Sequence, residues 1–239
     1  MTRSTGFLLA LTLIFVATAA AAAEQQRIRG TIQSFEEDSL TVALRSGDST
    51  KLMLGEATQY VYVVKSDLSA IDSGTFIGAA SKQVQGMPVA IEVVVFPQSM
   101  AGMGEGHYPW DKLPDTTLGA AGTVPTKMTN ATVKSAQAMD KQSAHATDQQ
   151  SMVDTAMTNA TVKQSNPKQR GARLLTVTYS GGKKMQILVP PSAPIVAFQP
   201  KDRAVLKQGA HVFVIAAGQQ GAPAAKFVAV GKNGLNPPM

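Results

Sequence analysis

The chain has 239 residues, 44% of them apolar and 5% aromatic, with 22 Lys/Arg against 16 Asp/Glu and no cysteine. That composition supports a folded core, and the missing thiols exclude disulfide frameworks, thiolate metal sites and cysteine nucleophiles. The histidines are His107, His145 and His211, and there is no P-loop, GxSxG elbow, HExxH motif or dinucleotide fingerprint. No recognisable enzyme constellation remains, and a non-enzymatic protein is expected.

Residues 1–23 read as a signal peptide. Arg3 supplies positive charge, Phe7–Ala17 is an apolar run of 11 residues, and Ala21-Ala22-Ala23 forms a small-residue exit before Glu24. A run this short falls below the ~20 residues that span a bilayer, so cleavage and release into the periplasm are expected.

From Arg27 onward the pattern is one of short strands. Arg27–Ser34, Leu40–Leu44, Thr50–Leu54 and Tyr60–Val64 are separated by polar or glycine turns, among them the acidic turn Glu36-Glu37-Asp38. Asp67 stands as an N-cap before one or two helical turns at Leu68–Asp72, and Thr75–Ala80 and Val89–Phe96 return to strand. The Gly- and Met-rich stretch after Phe96 reads as a loop. Residues 128–156 read as a polar, low-complexity insertion. It begins with Met128–Lys134 (MTNATVK), which recurs identically at Met157–Lys163, 29 residues later. The later copy precedes the turn Asn166-Pro167 and is expected to supply the strand. Leu175–Tyr179, Met185–Val189 and Ile195–Phe198 follow as strands. Asp202 then caps a short helix over Arg203–Gln208, before strands at Ala210–Ala217 and Ala225–Val230.

The second set repeats the first. Displacing the chain by 135 positions aligns Leu40–Phe96 with Leu175–Gly231 with 13 identities in 57 positions, including Asp67 on Asp202, Gly74 on Gly209 and Pro88 on Pro223. Two tandem copies of one unit explain this. The expected fold class is mainly β, with two tandem small OB-like β-barrels that each carry one short helix. The first barrel, acidic, would span 24–97 and the second, basic, 157–239, with a Gly/Met/Pro loop and polar insertion over 98–156. Cutting such a chain near residues 128–165 should release two folded halves.

The segment Phe96–Asp111 (FPQSMAGMGEGHYPWD), the Met-Thr-Asn-Ala-Thr strand and the ending Gly231–Met239 resemble a family of exported bacterial proteins of unknown function. The resemblance covers residues 27–239 and implies paired OB-like β-barrels. The chain departs from the family in the 128–156 insertion and at Tyr108, where arginine is more usual. Members often carry the label "metal ABC transporter permease", which conflicts with a chain whose one long apolar run is its signal segment. The resemblance implies an architecture and no activity.

Two candidate sites stand out. Met100, Met103 and His107 follow the spacing Met-x-x-Met-x-Glu-x-His, and thioether and imidazole donors suit Cu(I), so copper is the alternative cofactor. The same stretch also reads as a tight loop in which His107 bonds a backbone carbonyl and Trp110 plugs a barrel end. The second site rests on charge, which is −3 over residues 24–96, +1 over 97–170 and +7 over 171–239. Lys183, Lys184, Lys201, Arg203, Lys207, Lys226 and Lys232 therefore form a candidate surface for an anionic envelope component. Nucleic acid is not expected, because Tyr179, Phe198, Phe213 and Phe227 sit on strand-like runs where core packing is the default. The function implied is an exported binding or scaffolding protein, with periplasmic copper or divalent-metal binding as the alternative.

Overall fold

The computed structural model describes residues 25–117, 122–139, 171–218, 221 and 223–238. The signal segment, His145 and the second copy Met157–Lys163 lie outside the described residues. The strands are β1 Gln25–Phe35, β2 Ser39–Leu44, β3 Ser49–Met53, β4 Gln59–Lys65, β5 Phe76–Val84, β6 Met87–Val95 and β7 Gly106–Pro114. They continue with β8 Thr123–Met139, β9 Ala172–Tyr179, β10 Lys183–Val189, β11 Ile195–Lys201, β12 His211–Ala217 and β13 Ala224–Gly231. The chain is mainly β, and among the described residues no helix is long and apolar enough to cross a membrane.

The two capped helices are each a single 3-10 turn, Leu68–Ala70 and Arg203–Val205. Asp67 accepts from the Ser69 N–H at 2.7 Å and Asp202 from the Ala204 N–H at 2.9 Å, as their positions predict. Neither turn extends, because Ile71 and Leu206 already adopt extended backbone and are 0% and 3% exposed. Burying those side chains at once outweighs another helical turn.

Strand pairing follows the repeat in an unexpected way. β1, β2 and β3 form an antiparallel meander, β12 lies on the free edge of β1, and β13 lies beside β12. β13 then meets β3 in parallel at Ala224 and Met53, closing the circuit β1-β2-β3-β13-β12. In the same manner β8, β9 and β10 take β5 against β8 and β6 beside β5. A parallel contact of Val89 with Leu188 closes the second circuit. Each circuit therefore takes three strands from one repeat and two from the other. The segments 24–97 and 157–239 are not the units of hydrogen bonding. The reason lies in β4 and β11, which leave their own meanders and pair antiparallel with each other, Tyr60 opposite Lys201 and Lys65 opposite Val196. They carry the following turn and two strands across to the other circuit.

Each circuit has its own apolar filling. Ile28, Ile32, Leu40, Val42, Leu52, Val214 and Val228 pack inside the first. Ile77, Val93, Ala131, Val133, Leu175, Val177 and Ile187 fill the second. At ~1.5–3 kcal/mol for each fully buried aliphatic side chain, these clusters are the main favourable term in holding strands from distant parts of the chain together.

β8 corrects the reading of an insertion for residues 128–139, the remainder lying outside the described residues. The strand includes the first copy of the heptapeptide and runs on to Met139, with Thr129, Ala131 and Val133 all 0% exposed. Its N-terminal half pairs with β5 on one edge and β7 on the other, and its C-terminal half pairs with β9. Thr129, Ala131 and Val133 share one face while Met128 and Asn130 are buried on the other, so this stretch is covered on both faces, which its polar composition hides.

Candidate functional site

A third apolar cluster lies between the circuits, and it is aromatic. Phe76 packs edge-on against Phe96 at 5.3 Å, Phe96 against Phe198 at 5.1 Å, and Phe198 against Phe227 at 5.4 Å. Tyr108, Trp110 and Phe213 continue the series at 6.0 and 6.4 Å. Edge-to-face packing of this kind fixes ring positions beyond what area burial alone would do. A cavity of about 670 Å³ opens among these rings. Gly78, Met128 and Asn130 line it from one circuit, and Gln25, Phe213, Ile215, Lys226 and Phe227 from the other. Ala57, Gln59 and Phe198 come from the crossing region, and Met103, Gly104, Glu105, Tyr108 and Trp110 form the remaining wall.

Two β-bulges aim side chains at this cavity. On β7, Pro109 faces Lys127 and Lys112 faces Pro125, so Trp110 and Asp111 together oppose Thr126. On β13, Phe227 faces Ile215 and Ala225 faces Ala216, which leaves Lys226 as the extra residue. A bulge breaks the strict alternation of faces, and so consecutive Lys226 and Phe227 both border the cavity. The other repeat has its bulge at the equivalent residue, Ile91, between the pairs Ala80–Glu92 and Ser81–Ala90. Ile91 is 1% exposed in the same aromatic cluster. The repeat differs again where Phe213 on β12 corresponds to Gly78 on β5. A Cβ on Gly78 would stand 2.7 Å from Asn130 Oδ1 and 3.1 Å from Phe96, so the glycine leaves room that its counterpart fills.

The wall from 103 to 110 is pinned from two sides. Asn130 Nδ2 donates to the Met103 carbonyl and to Tyr108 Oη, both at 3.2 Å, and Tyr108 Oη donates to the Gly104 carbonyl at 3.3 Å. Burial pushes the Tyr108 phenol above its ordinary value, against the opposing charge of Arg27, so the hydroxyl stays neutral. Arg27 lies 4.2 Å above the Trp110 ring, and its Nε donates to Asp111 Oδ1 at 2.9 Å. Arg29 lies 5.0 Å over Phe213 and donates to Asp111 Oδ2 at 2.6 Å. Burial would raise the Asp111 carboxyl, and the two guanidinium groups overcome it and hold the group below its usual value. The Trp110 Nε1 is buried and has no hydrogen-bond partner among the described residues.

The structure separates the proposed metal ligands. Met100 is 9% exposed within the aromatic cluster, and Met103 lines the cavity. His107 opposes Thr129 whereas Tyr108 opposes Met128, and the pleat sends the two pairs to opposite faces. Tyr108 and Met128 face the cavity; His107 Nδ1 lies 2.9 Å from Thr129 Oγ1, which donates to Met185 Sδ at 3.7 Å. His107 is pushed below its ordinary value by burial and by Lys127, so it is neutral at pH 7. Among the described residues no group of three or more His, Asp or Glu could hold a metal ion. Trp110, expected to plug a barrel end, instead packs between the two circuits.

The seven basic residues are divided as well. Lys183 and Lys184 lie on β10 of one circuit, whereas Arg203, Lys207, Lys226 and Lys232 accompany β12 and β13 into the other, and Lys201 ends β11. There they join the acidic repeat, with Glu36, Glu37, Asp38 and Asp48 in the turns of β1–β3. Strand exchange thus mixes the charge that the sequence segregates. His211, at the start of β12, is half-buried and stands 3.3 Å from Thr31 Oγ1.

Comparison of the chain with protein-family models, with curated proteins and with solved structures finds no match.

Proposed function

We propose that the chain is an exported, non-enzymatic binding protein whose site is the aromatic cavity between its two circuits. The observation that carries this reading is the pair of bulges that turn Trp110 and Lys226 toward one space of about 670 Å³. Ligand sites are typically concave and mostly apolar, with a few placed polar groups, and fall in this size range. Asn130, Gln25 and Gln59 are the placed amides here, available to fix the polar groups of a ligand. Each circuit supports an OB-like reading, with five strands in the order 1-2-3-5-4, a parallel closing pair and a short helical turn before the fourth strand. On that reading the two barrels have exchanged their last two strands, and export to the periplasm follows from the N-terminal segment.

Trp110 is the single tryptophan of the chain, so its emission reports on the cavity directly. Titration with small aromatic and aliphatic compounds should shift that emission and raise Tm. Ala57→Leu, at the exposed mouth, should weaken both responses while leaving the unliganded Tm unchanged and Trp110 the only tryptophan. Compounds that raise Tm and shift the emission equally in Ala57→Leu would place binding elsewhere and end this reading.

A further inference from the structure

We infer that the ligand of this cavity is an apolar, ring-bearing molecule that ends in an anionic group, held by the ammonium of Lys226. The inference rests on the cavity being the binding site and adds the chemical class of its occupant.

The two repeats supply the argument. Both carry a bulge at the same place, opposite Ala80 and Ser81 in one and opposite the equivalent Ile215 and Ala216 in the other, and both bulged residues lie at the junction. In one repeat the residue is Ile91, sealed into the aromatic cluster at 1% exposure. In the other it is Lys226, exposed at the cavity and beside Phe227. An isoleucine at that position would close the apolar junction, whereas a lysine keeps the space open and sets a cation at its edge. No salt bridge joins Lys226 to an acid among the described residues; the bridges there are Arg27 and Arg29 to Asp111, Lys51 to Glu36, and Lys82 to Asp115.

Other charges near the site do not compete for this role. Arg27 is committed to Asp111 and to the face of Trp110. Tyr108 is held neutral by burial. Glu105 is the one carboxylate among the lining residues; it is exposed on the glycine-flanked loop, and its carbonyl accepts from Ser180 Oγ at 3.2 Å. A ligand whose rings contact Trp110 and Phe227 would place its far end among Lys226, Gln25 and Gln59. A cation with two amides is a carboxylate-binding set, strengthened where apolar walls exclude water. The net charge of +6 also favours the approach of anions.

The test compares three probes with one ring system, 1-naphthylacetate, 1-naphthylacetamide and 1-naphthylmethylammonium. Each is titrated into the full chain by calorimetry, with Tm as second readout. The anion should bind roughly tenfold more tightly than the amide, and the ammonium least. Lys226→Met should bring the anion down to the amide's affinity without changing the amide, and Lys226→Glu should invert the order. Glu105→Gln should raise the anion's affinity by a factor of about two. Because Lys226 is exposed, these variants should keep the parent Tm, which is measured alongside. Equal binding of all three probes, or an anion preference that survives Lys226→Met, would overturn the inference and leave the cavity as a binding site. Binding of none of them, with unchanged Tm, would overturn both.

Discussion

Arg27 and Asp111 are 84 residues apart in the chain and joined at 2.9 Å, and Trp110 lies beneath the guanidinium. The contact ties β1 of one circuit to the bulge on β7, which is hydrogen-bonded to the other. It therefore fixes the indole and couples the two circuits through a single carboxylate. Asp111→Ala should cost about 2 kcal/mol, since it leaves two part-buried arginines without their acceptor. Arg27→Lys should keep the charge and lose the stacked plane. Urea unfolding gives the first number. Acrylamide quenching of Trp110 should rise in both variants, and an unchanged quenching constant would show that Arg27 does not hold the ring.

Asp115 provides a pH test. Its carboxylate accepts from Lys82 Nζ at 2.6 Å and from Thr117 N–H and Oγ–H at 3.0 and 2.7 Å. The Lys82 and Thr117 hydrogen bonds hold it at about 2, down from 3.8. A lowered carboxylate stabilises the folded state at full strength above its unfolded value near pH 4, and that contribution is lost as pH falls toward 2. With solvent screening the contribution at neutral pH is about 1 kcal/mol. Stability measured between pH 5 and 2 should fall more steeply in the parent than in Asp115→Asn. Parallel curves would contradict the assignment.

Strand exchange predicts what a cut between the repeats does. A specific protease site placed at residue 150, once cleaved, should yield two fragments that co-elute in gel filtration and part only in denaturant. Residues 24–97 and 157–239, made separately, should not fold, since each contains strands whose partners lie in the other. Two independently folded halves would refute the exchanged pairing.

The duplicated heptapeptide offers a fourth test. Removing residues 135–163 gives the same polypeptide as removing 128–156, because Met128–Lys134 and Met157–Lys163 are identical. The shortened chain keeps every β8 residue that lines the cavity, puts Ser165 in place of Ala136, which packs against the second core, and places Pro167 where Ala138 pairs with Arg173. Loop shortening favours folding by ~0.6 kcal/mol per halving, and a proline in the ladder costs up to about 3 kcal/mol. The variant should fold with the parent Trp110 emission and a Tm lower by several degrees at most. Failure to fold would assign residues 135–163 a structural role of their own.

Much of the secondary structure was legible because it is local. Alternating Leu40, Val42 and Leu44, the caps at Asp67 and Asp202 and the paired glycines all act over a few residues. The partner of each strand was not legible. A repeat offset by 135 residues does not say whether each circuit closes on itself or on its twin, since β6 and β13 share Ala90/Ala225, Val93/Val228 and Val95/Val230 and bulge at the same place. β7 was missed because Gly106, Pro109 and Pro114 break the strand pattern that pairing with β8 overrides. The cavity was hidden for a related reason. Its signal lies in the mismatches of the repeat, Gly78 against Phe213 and Ile91 against Lys226, and an alignment read for identities passes over them.

The exchange also sets a timetable. In a chain made from its N-terminus, the circuit built on β8–β10 has all its strands once Val189 exists, whereas β1–β3 wait for Ala224–Gly231. Thr31 and His211 meet across 180 residues, a separation that slows closure. The first strands synthesised are thus the last to be completed, and until then Ile28, Leu40 and Leu52 lack their cover. Such a chain keeps unpaired β-strands for most of its synthesis, and their apolar faces stay uncovered until the last strands arrive.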